Sequence, residues 1–197
     1  MKINGGSVLV TGARRGLGRC IAQELLARGA ARVYAAAPDP GSLEAIVSSD
    51  PERVVALGLD FTDEHQVRED ADTANRVSLV FNNAGVMAFG TPLDADLNLV
   101  ERDMRVNYMG TLLVTRAFAP VLERQGGRAF VNVISLLGLA PVTGTSPYCA
   151  SKAAAHSLTQ ALRHEPGGRQ ISMTGVYPGG INTDMLAGVR CAQGGAG

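Results

Sequence analysis

Tyr148 and Lys152 stand four residues apart in Tyr148-Cys149-Ala150-Ser151-Lys152, and an Ala-rich stretch follows them. On a helix that spacing projects both side chains from one face, one turn apart. A phenol has a pKa of about 10 and is a poor proton donor or acceptor near neutrality. An ammonium beside it favours the phenolate and draws that pKa toward the working range. The pair alone carries little weight, because Tyr-xxx-Lys arises often by chance. It gains weight from a turn far upstream that gives the proton something to accompany.

That turn is Thr11-Gly12-Ala13-Arg14-Arg15-Gly16-Leu17-Gly18. It follows the apolar run Val8-Leu9-Val10 and precedes Ile21, Leu25 and Leu26, spaced as the inner face of a helix. Strand, glycine-rich turn and helix form the setting in which such a turn cradles phosphates. Gly12 would permit the tight turn, Gly16 the approach of backbone to a pyrophosphate, and Gly18 close packing of the helix. The N–H groups at the helix start would face the phosphates. The bland alternative, an ordinary strand-to-helix turn with no ligand, is disfavoured by this setting.

With these and five further segments in order, the sequence resembles the short-chain dehydrogenase/reductase family over residues 7–183. The glycine spacing of the turn differs from the common Gly-x-Gly-x-x-Gly and is similar to that family's. The resemblance implies that Gly12, Arg14, Arg15, Gly16, Leu17 and Gly18 hold a dinucleotide. It implies that Asp60, ending Leu57-Gly58-Leu59-Asp60, contacts the adenine with Phe61 beside it. Asn83, Ala84 and Gly85, in Asn82-Asn83-Ala84-Gly85, match the segment that closes the fourth strand. Asn107, in Val106-Asn107-Tyr108-Met109-Gly110, matches the active-site asparagine, and Ser135, before Leu136-Leu137-Gly138, matches the catalytic serine. Pro178, Gly179 and Thr183 resemble the loop that closes on the nicotinamide.

The implied reaction is reversible hydride transfer between a nicotinamide cofactor and a carbonyl or alcohol. Tyr148 would be the general acid in reduction and the base in oxidation. Lys152 would lower the tyrosine's pKa and bind the nicotinamide ribose. Ser135 would hold the substrate oxygen, and Asn107 would support an ordered water in a proton relay. Taken singly, each has a plainer reading. Lys152 is a solvated helix lysine, Ser135 a turn residue, and Asn107 a helix-kink or backbone-satisfying group. Asp60 and Asn82 cap backbone at strand ends, Thr183 caps a loop, and Arg14 and Arg15 are solvated. Cys149 reads as a small core residue. His65, His156 and His164 read as surface or helix-face residues, since none pairs with a nucleophile. Ile134-Ser135-Leu136 lacks the flanking glycines of a hydrolase nucleophile elbow.

The elements that must position these residues alternate along the chain. Apolar runs at 7–11, 32–37, 54–57, 77–81, 128–134 and 171–176 read as strands. Segments near 16–28, 42–47, 63–74, 97–124 and 148–163 read as helices. Alternation of this kind implies an α/β fold, here a single-domain Rossmann-like doubly wound parallel sheet. Ligands bind such sheets beyond the carboxyl ends of the strands, where Asn83, Ser135 and Pro178 fall. The catalytic domain would span residues 1–187, with Gly126-Gly127 and Gly167-Gly168 as turns before strands.

Composition agrees. At 197 residues, 46% of them hydrophobic and 24 of them glycine, the chain can bury one core and make many tight turns. Eighteen basic residues balance eighteen acidic ones, which argues against nucleic acid or an anionic membrane as partner. No apolar run approaches the roughly 20 residues that span a bilayer. The first strand begins too early to leave room for a signal peptide. Cys20, Cys149 and Cys191 are odd in number and widely spaced, fitting neither a disulfide framework nor a zinc site. A cytoplasmic location and no metal are expected.

The nicotinamide is read from the end of the second strand, Val33-Tyr34-Ala35-Ala36-Ala37. A carboxylate there would bind the ribose 2′-hydroxyl of NAD, but the position is Ala37. By resemblance, Arg15 matches a position often basic in NADP users. Pro38 stands where those members often have arginine, and Asp39 opposes a phosphate. NADP(H) is favoured over NAD(H). Met87, Phe89, Leu136, Leu137, Val142 and Met185 suggest an apolar pocket for an aliphatic or aromatic carbonyl.

After the nicotinamide loop comes a Gly/Ala-rich tail at 188–197 without apolar periodicity, expected to be disordered. Relative to the family the chain reads as C-terminally short, missing a lid segment and an edge strand. Two readings follow: an active oxidoreductase, or a non-catalytic dinucleotide-binding scaffold without its substrate lid. The expected assembly is a homodimer through the helices at 97–124 and 148–163.

Overall fold

A computed structural model describes residues 3–126, 129–165 and 171–181. The expected positions at Gly127, Gly167, Gly168, Thr183 and Met185, and the tail at 188–197, lie outside the described residues. The elements run β1 (Ser7–Thr11), α1 (Gly16–Ala27), β2 (Arg32–Ala37), a 3₁₀ turn (Pro40–Leu43), α2 (Glu44–Val47), β3 (Val54–Gly58), α3 (Glu64–Thr73) and β4 (Val77–Asn82). Then come α4 (Leu97–Asp103), a π-helical segment (Met104–Gly110), α5 (Thr111–Arg124), β5 (Ala129–Val133), a second 3₁₀ turn (Leu136–Gly138), α6 (Ser146–Arg163) and β6 (Ser172–Val176).

The strands form one sheet in the order β3-β2-β1-β4-β5-β6, and every pairing is parallel. β1 and β2 are near-continuous apolar runs because both faces of a parallel sheet are covered. Their side chains alternate between two cores. Val8 and Val10 join Ala22, Leu25 and Leu43 on one face. Leu9 joins Val80, Phe118, Leu122 and Phe130 on the other. From β1 the chain winds outward through β2 and β3, then returns to start the other half at β4. The order therefore reverses between β1 and β4, which opens a crevice at their carboxyl ends.

Local sequence explains most boundaries. Asp63 caps α3 by accepting from the N–H groups of His65 and Gln66. Pro147 occupies the first turn of α6, where its missing N–H is harmless. Two expectations differ. The stretch 42–47 is a 3₁₀ turn followed by a single α turn, because Asp39 accepts from Gly41 N–H and initiates a tighter turn at Pro40. The expected continuous helix at 97–124 is interrupted by the π-helical segment, where the backbone widens around Asn107. Among the described residues β6 is a sheet edge. None of the described helices is long and apolar enough to cross a membrane.

Candidate functional site

At the reversal point, β1 ends in Thr11 and the chain turns at Gly12 with φ +68°, a backbone conformation that strains any residue with a Cβ. The first turn of α1 carries no acidic residue, and Arg15 provides no side-chain cap. Its N-terminal amides therefore meet no competitor from their own helix and suit an anion. A Cβ on Gly18 would stand 2.2 Å from the Gly12 carbonyl oxygen and 2.5 Å from Asn83 Nδ2. Gly18 thus lets the helix start close over both its own turn and the segment after β4.

Thr11 ties the two strand ends together. Its hydroxyl donates to the Phe81 carbonyl at 3.2 Å and accepts from the N–H groups of Asn83 at 2.9 Å and Ala84 at 3.0 Å. The Asn83 amide donates back to the Thr11 carbonyl at 2.9 Å. A glycine cradle under an uncapped helix start, braced against the next strand, fits a dinucleotide's phosphates. Asp60 is half-buried. Its Oδ1 accepts from both the N–H and the hydroxyl of Thr62 at 2.8 Å, as a local cap does. Phe61 is buried in the core, its Cβ 3.1 Å from where a Cβ on Gly110 would be. Arg14 and Arg15 are exposed beside the turn.

Ser135 leaves β5, and its hydroxyl oxygen accepts from Leu137 N–H at 3.1 Å, starting the second 3₁₀ turn. That turn lies hard against α6: a Cβ on Gly138 would stand 2.8 Å from the carbonyl carbon of Lys152. Leu136 N–H donates to the Pro178 carbonyl at 3.0 Å, binding this turn to the loop after β6. On α6, Tyr148 and Lys152 are buried (7% and 4% exposed), and Lys152 Nζ stands 5.7 Å from the Tyr148 ring centre. Lys152 is therefore no solvated helix lysine; its ammonium donates to the Val133 carbonyl at 2.9 Å. A Cβ on Gly85 would stand 3.1 Å from Asn107 Oδ1 and 3.4 Å from Lys152 Nζ, so the segment after β4 passes close to both.

Asn107 is fully engaged by protein. Its Oδ1 accepts from Val86 N–H at 2.9 Å, and its Nδ2 donates to the Val86 carbonyl at 2.9 Å and to Ser151 Oγ at 2.8 Å. Ser151 donates onward to the Tyr148 carbonyl at 2.8 Å. The asparagine thus pins the segment after β4 to the helix that carries tyrosine and lysine. Its side chain is the backbone-satisfying group of the plainer reading.

Electrostatics departs from the simple expectation that lysine lowers the tyrosine pKa. Burial pushes the Tyr148 phenol above its usual value; a hydrogen bond with Ser135 opposes this, while Asp103 and Cys149 add to it. Burial also lowers Lys152 to about 8, against an upward pull from Asp103. Both groups have lost water, and that loss sets the direction of both shifts.

The structure brings Ser135, Tyr148, Lys152 and Asn107 together and sets the glycine turn at the adjacent crevice. Thr11, Asp103, Gly138 and Ser151 were missed from sequence. Thr11 had only its place at the head of the glycine motif as a signal; the others had none stronger than small or polar identity. Among the histidines, His156 is no plain helix-face residue: its Nδ1 lies 2.7 Å from the Tyr177 hydroxyl. Cys149 is a small buried residue, as expected.

A family model described as short chain dehydrogenase matches residues 6–194. The mouse protein estradiol 17-beta-dehydrogenase 2 is 34% identical over 191 residues, covering 91% of this chain and 49% of its own length. A short-chain type dehydrogenase/reductase of Picea abies is 33% identical, covering 93% of this chain and 73% of its own. The chain thus spans about half the length of the mouse relative. A crystal structure of a short chain dehydrogenase from Burkholderia cenocepacia J2315, in complex with NADP, superposes with TM-score 0.90 at 37% identity, over 96% of this chain and 78% of that one. A Burkholderia phymatum relative in complex with NAD superposes with TM-score 0.89 at 30% identity, over 96% and 71% of the two chains.

Proposed function

This chain belongs to the short-chain dehydrogenase family, and from that premise we propose that it interconverts a carbonyl and an alcohol, using NADP(H) in preference to NAD(H). The observation that carries the reading is the buried Tyr148, one helical turn from the buried Lys152 on α6, with buried Ser135 at the end of β5. When bound, the dinucleotide supplies or accepts the hydride. The protein's own residues orient the substrate and move one proton. Gly12, Gly16, Leu17 and Gly18, with Asn83, Ala84 and Gly85, would hold the dinucleotide's phosphates and ribose, and Asp60 would meet the adenine. Pro178 and Gly179 would close on the nicotinamide.

In reduction, Ser135 holds the carbonyl oxygen and Tyr148 gives it the phenolic proton as the C–O bond becomes an alcohol. In oxidation the phenolate takes that proton back. The raised phenol pKa keeps Tyr148 in its acid form at neutral pH. Reduction should therefore run across neutral pH, while oxidation, which needs the phenolate, should keep rising into the alkaline range. Exposed Leu136, Leu139 and Val142 along the segment after β5 favour an apolar carbonyl. NADP is supported by Ala37 closing β2 and by Asp39, whose carboxylate is turned to Gly41 N–H at 3.0 Å. Arg15 beside the turn would meet the 2′-phosphate.

The test is NADPH and NADH fluorescence on binding, followed by consumption of reduced dinucleotide with a panel of aldehydes and ketones. Tight NADPH binding with turnover of apolar carbonyls supports the proposal. Tight binding with no consumption across the panel would leave a dinucleotide-holding protein.

A further inference from the structure

Asp103 ends α4 and is the only carboxylate among the described residues with no solvent exposure. Its Oδ2 accepts from Ala88 N–H at 2.8 Å, in the segment that leaves β4. Its Oδ1 has no hydrogen-bond partner and sits 3.5 Å from Nη2 of Arg102, a half-exposed side chain. One backbone donor and one solvated guanidinium are meagre compensation for a carboxylate taken wholly out of water. Across the α4–α6 contact lies a second poorly compensated charge. Lys152, also buried, has a single hydrogen-bond acceptor, the Val133 carbonyl.

We propose that Asp103 is a positioning residue for the site: the buried counter-charge of Lys152, which holds an ammonium behind Tyr148 while its other oxygen clamps the Ala88 segment to α4. The groups facing the pair are few. Its own helix offers Arg102, and α6 offers Tyr148, Lys152 and Cys149. The segment after β4 offers the Ala88 N–H, and the turn after β5 offers the Ser135 hydroxyl. The carboxylate pulls Lys152 upward against burial and, by the same field, makes the Tyr148 phenolate harder to form. It thus favours the protonated form of both groups. The consequence for turnover rests on the hydride-transfer reading; the coupling of these two buried charges does not.

The chain has two lysines, Lys2 and Lys152, so ε-¹³C-lysine NMR of the dinucleotide-free protein yields two resonances. In the parent Lys152 should titrate near 8. In Asp103→Asn, which keeps an acceptor for Ala88 but no charge, Lys152 should titrate about one unit lower while Lys2 stays put. A folded Asp103→Asn with Lys152 unmoved would overturn the proposal. Should that variant fail to fold, Arg102→Gln serves, because it removes the competing cation at the surface. Lys152 should then titrate higher, and an unmoved or lowered value would overturn the assignment. A parent that never consumes dinucleotide but shows the Asp103→Asn shift would sink the enzymatic reading and leave this pair standing. Turnover without the shift would do the reverse.

Discussion

The half of the molecule built from β1, β2 and β3 differs from the half built from β4, β5 and β6 in where its polar chemistry sits. Through β3, Thr11 is the one buried polar side chain among the described residues; the rest of that core is apolar. From α4 onward the interior holds Asp103, Asn107, Thr115, Asn132, Ser135, Thr145, Ser151, Lys152 and Thr159. On the proposed function, the first half would act through bare backbone at Gly12, Gly16 and Gly18. The second would act through side chains, and its interior side chains are held by one another, as Asn82, Asn132 and Thr159 are across β4, β5 and α6. Anion binding needs N–H groups with nothing in the way, so it favours glycine. Proton transfer needs dry, fixed side chains, so it favours a buried network with partners for its members.

The division can be broken in order of expected effect. Gly18→Ala should be the most damaging, because its Cβ would fall 2.2 Å from the Gly12 oxygen. We expect a loss of about 3 kcal/mol in denaturant unfolding, the upper end for overpacking, and a collapse of dinucleotide affinity. Ser151→Ala strikes the other half by removing the acceptor for Asn107 Nδ2. It should cost about 2 kcal/mol and lower kcat, with NADPH affinity unchanged; a change in affinity alone would blur the division. Arg15→Ala should weaken NADPH about tenfold, roughly the loss of one charge-assisted hydrogen bond. NADH should be unaffected, and equal weakening of both would remove Arg15 from the 2′-phosphate.

The same contrast explains what could be read from sequence. The alternation of strands and helices and the glycine turn were legible because their causes are local: apolar runs, and a turn whose glycines lie within seven residues of one another. Ser135, Tyr148 and Lys152 were legible through a motif. Their surroundings were not. Asn107 and Ser151 meet across 44 positions, and a lone aspartate at the end of a surface-looking helix gives no sign that it is buried. Only the plainer reading of Asn107 as a helix-kink residue hinted at the widening there, because helix periodicity continues through it. The sign of the Tyr148 shift was missed because spacing reports a neighbouring amine but not the water that both groups have lost.

The most direct test is Tyr148→Phe, assayed side by side for NADPH binding by fluorescence and for carbonyl reduction. The account predicts affinity equal to the parent's and a rate lower by about 10²–10⁴-fold, the worth of a general acid. A variant that binds NADPH and reduces the carbonyl as fast as the parent would contradict it.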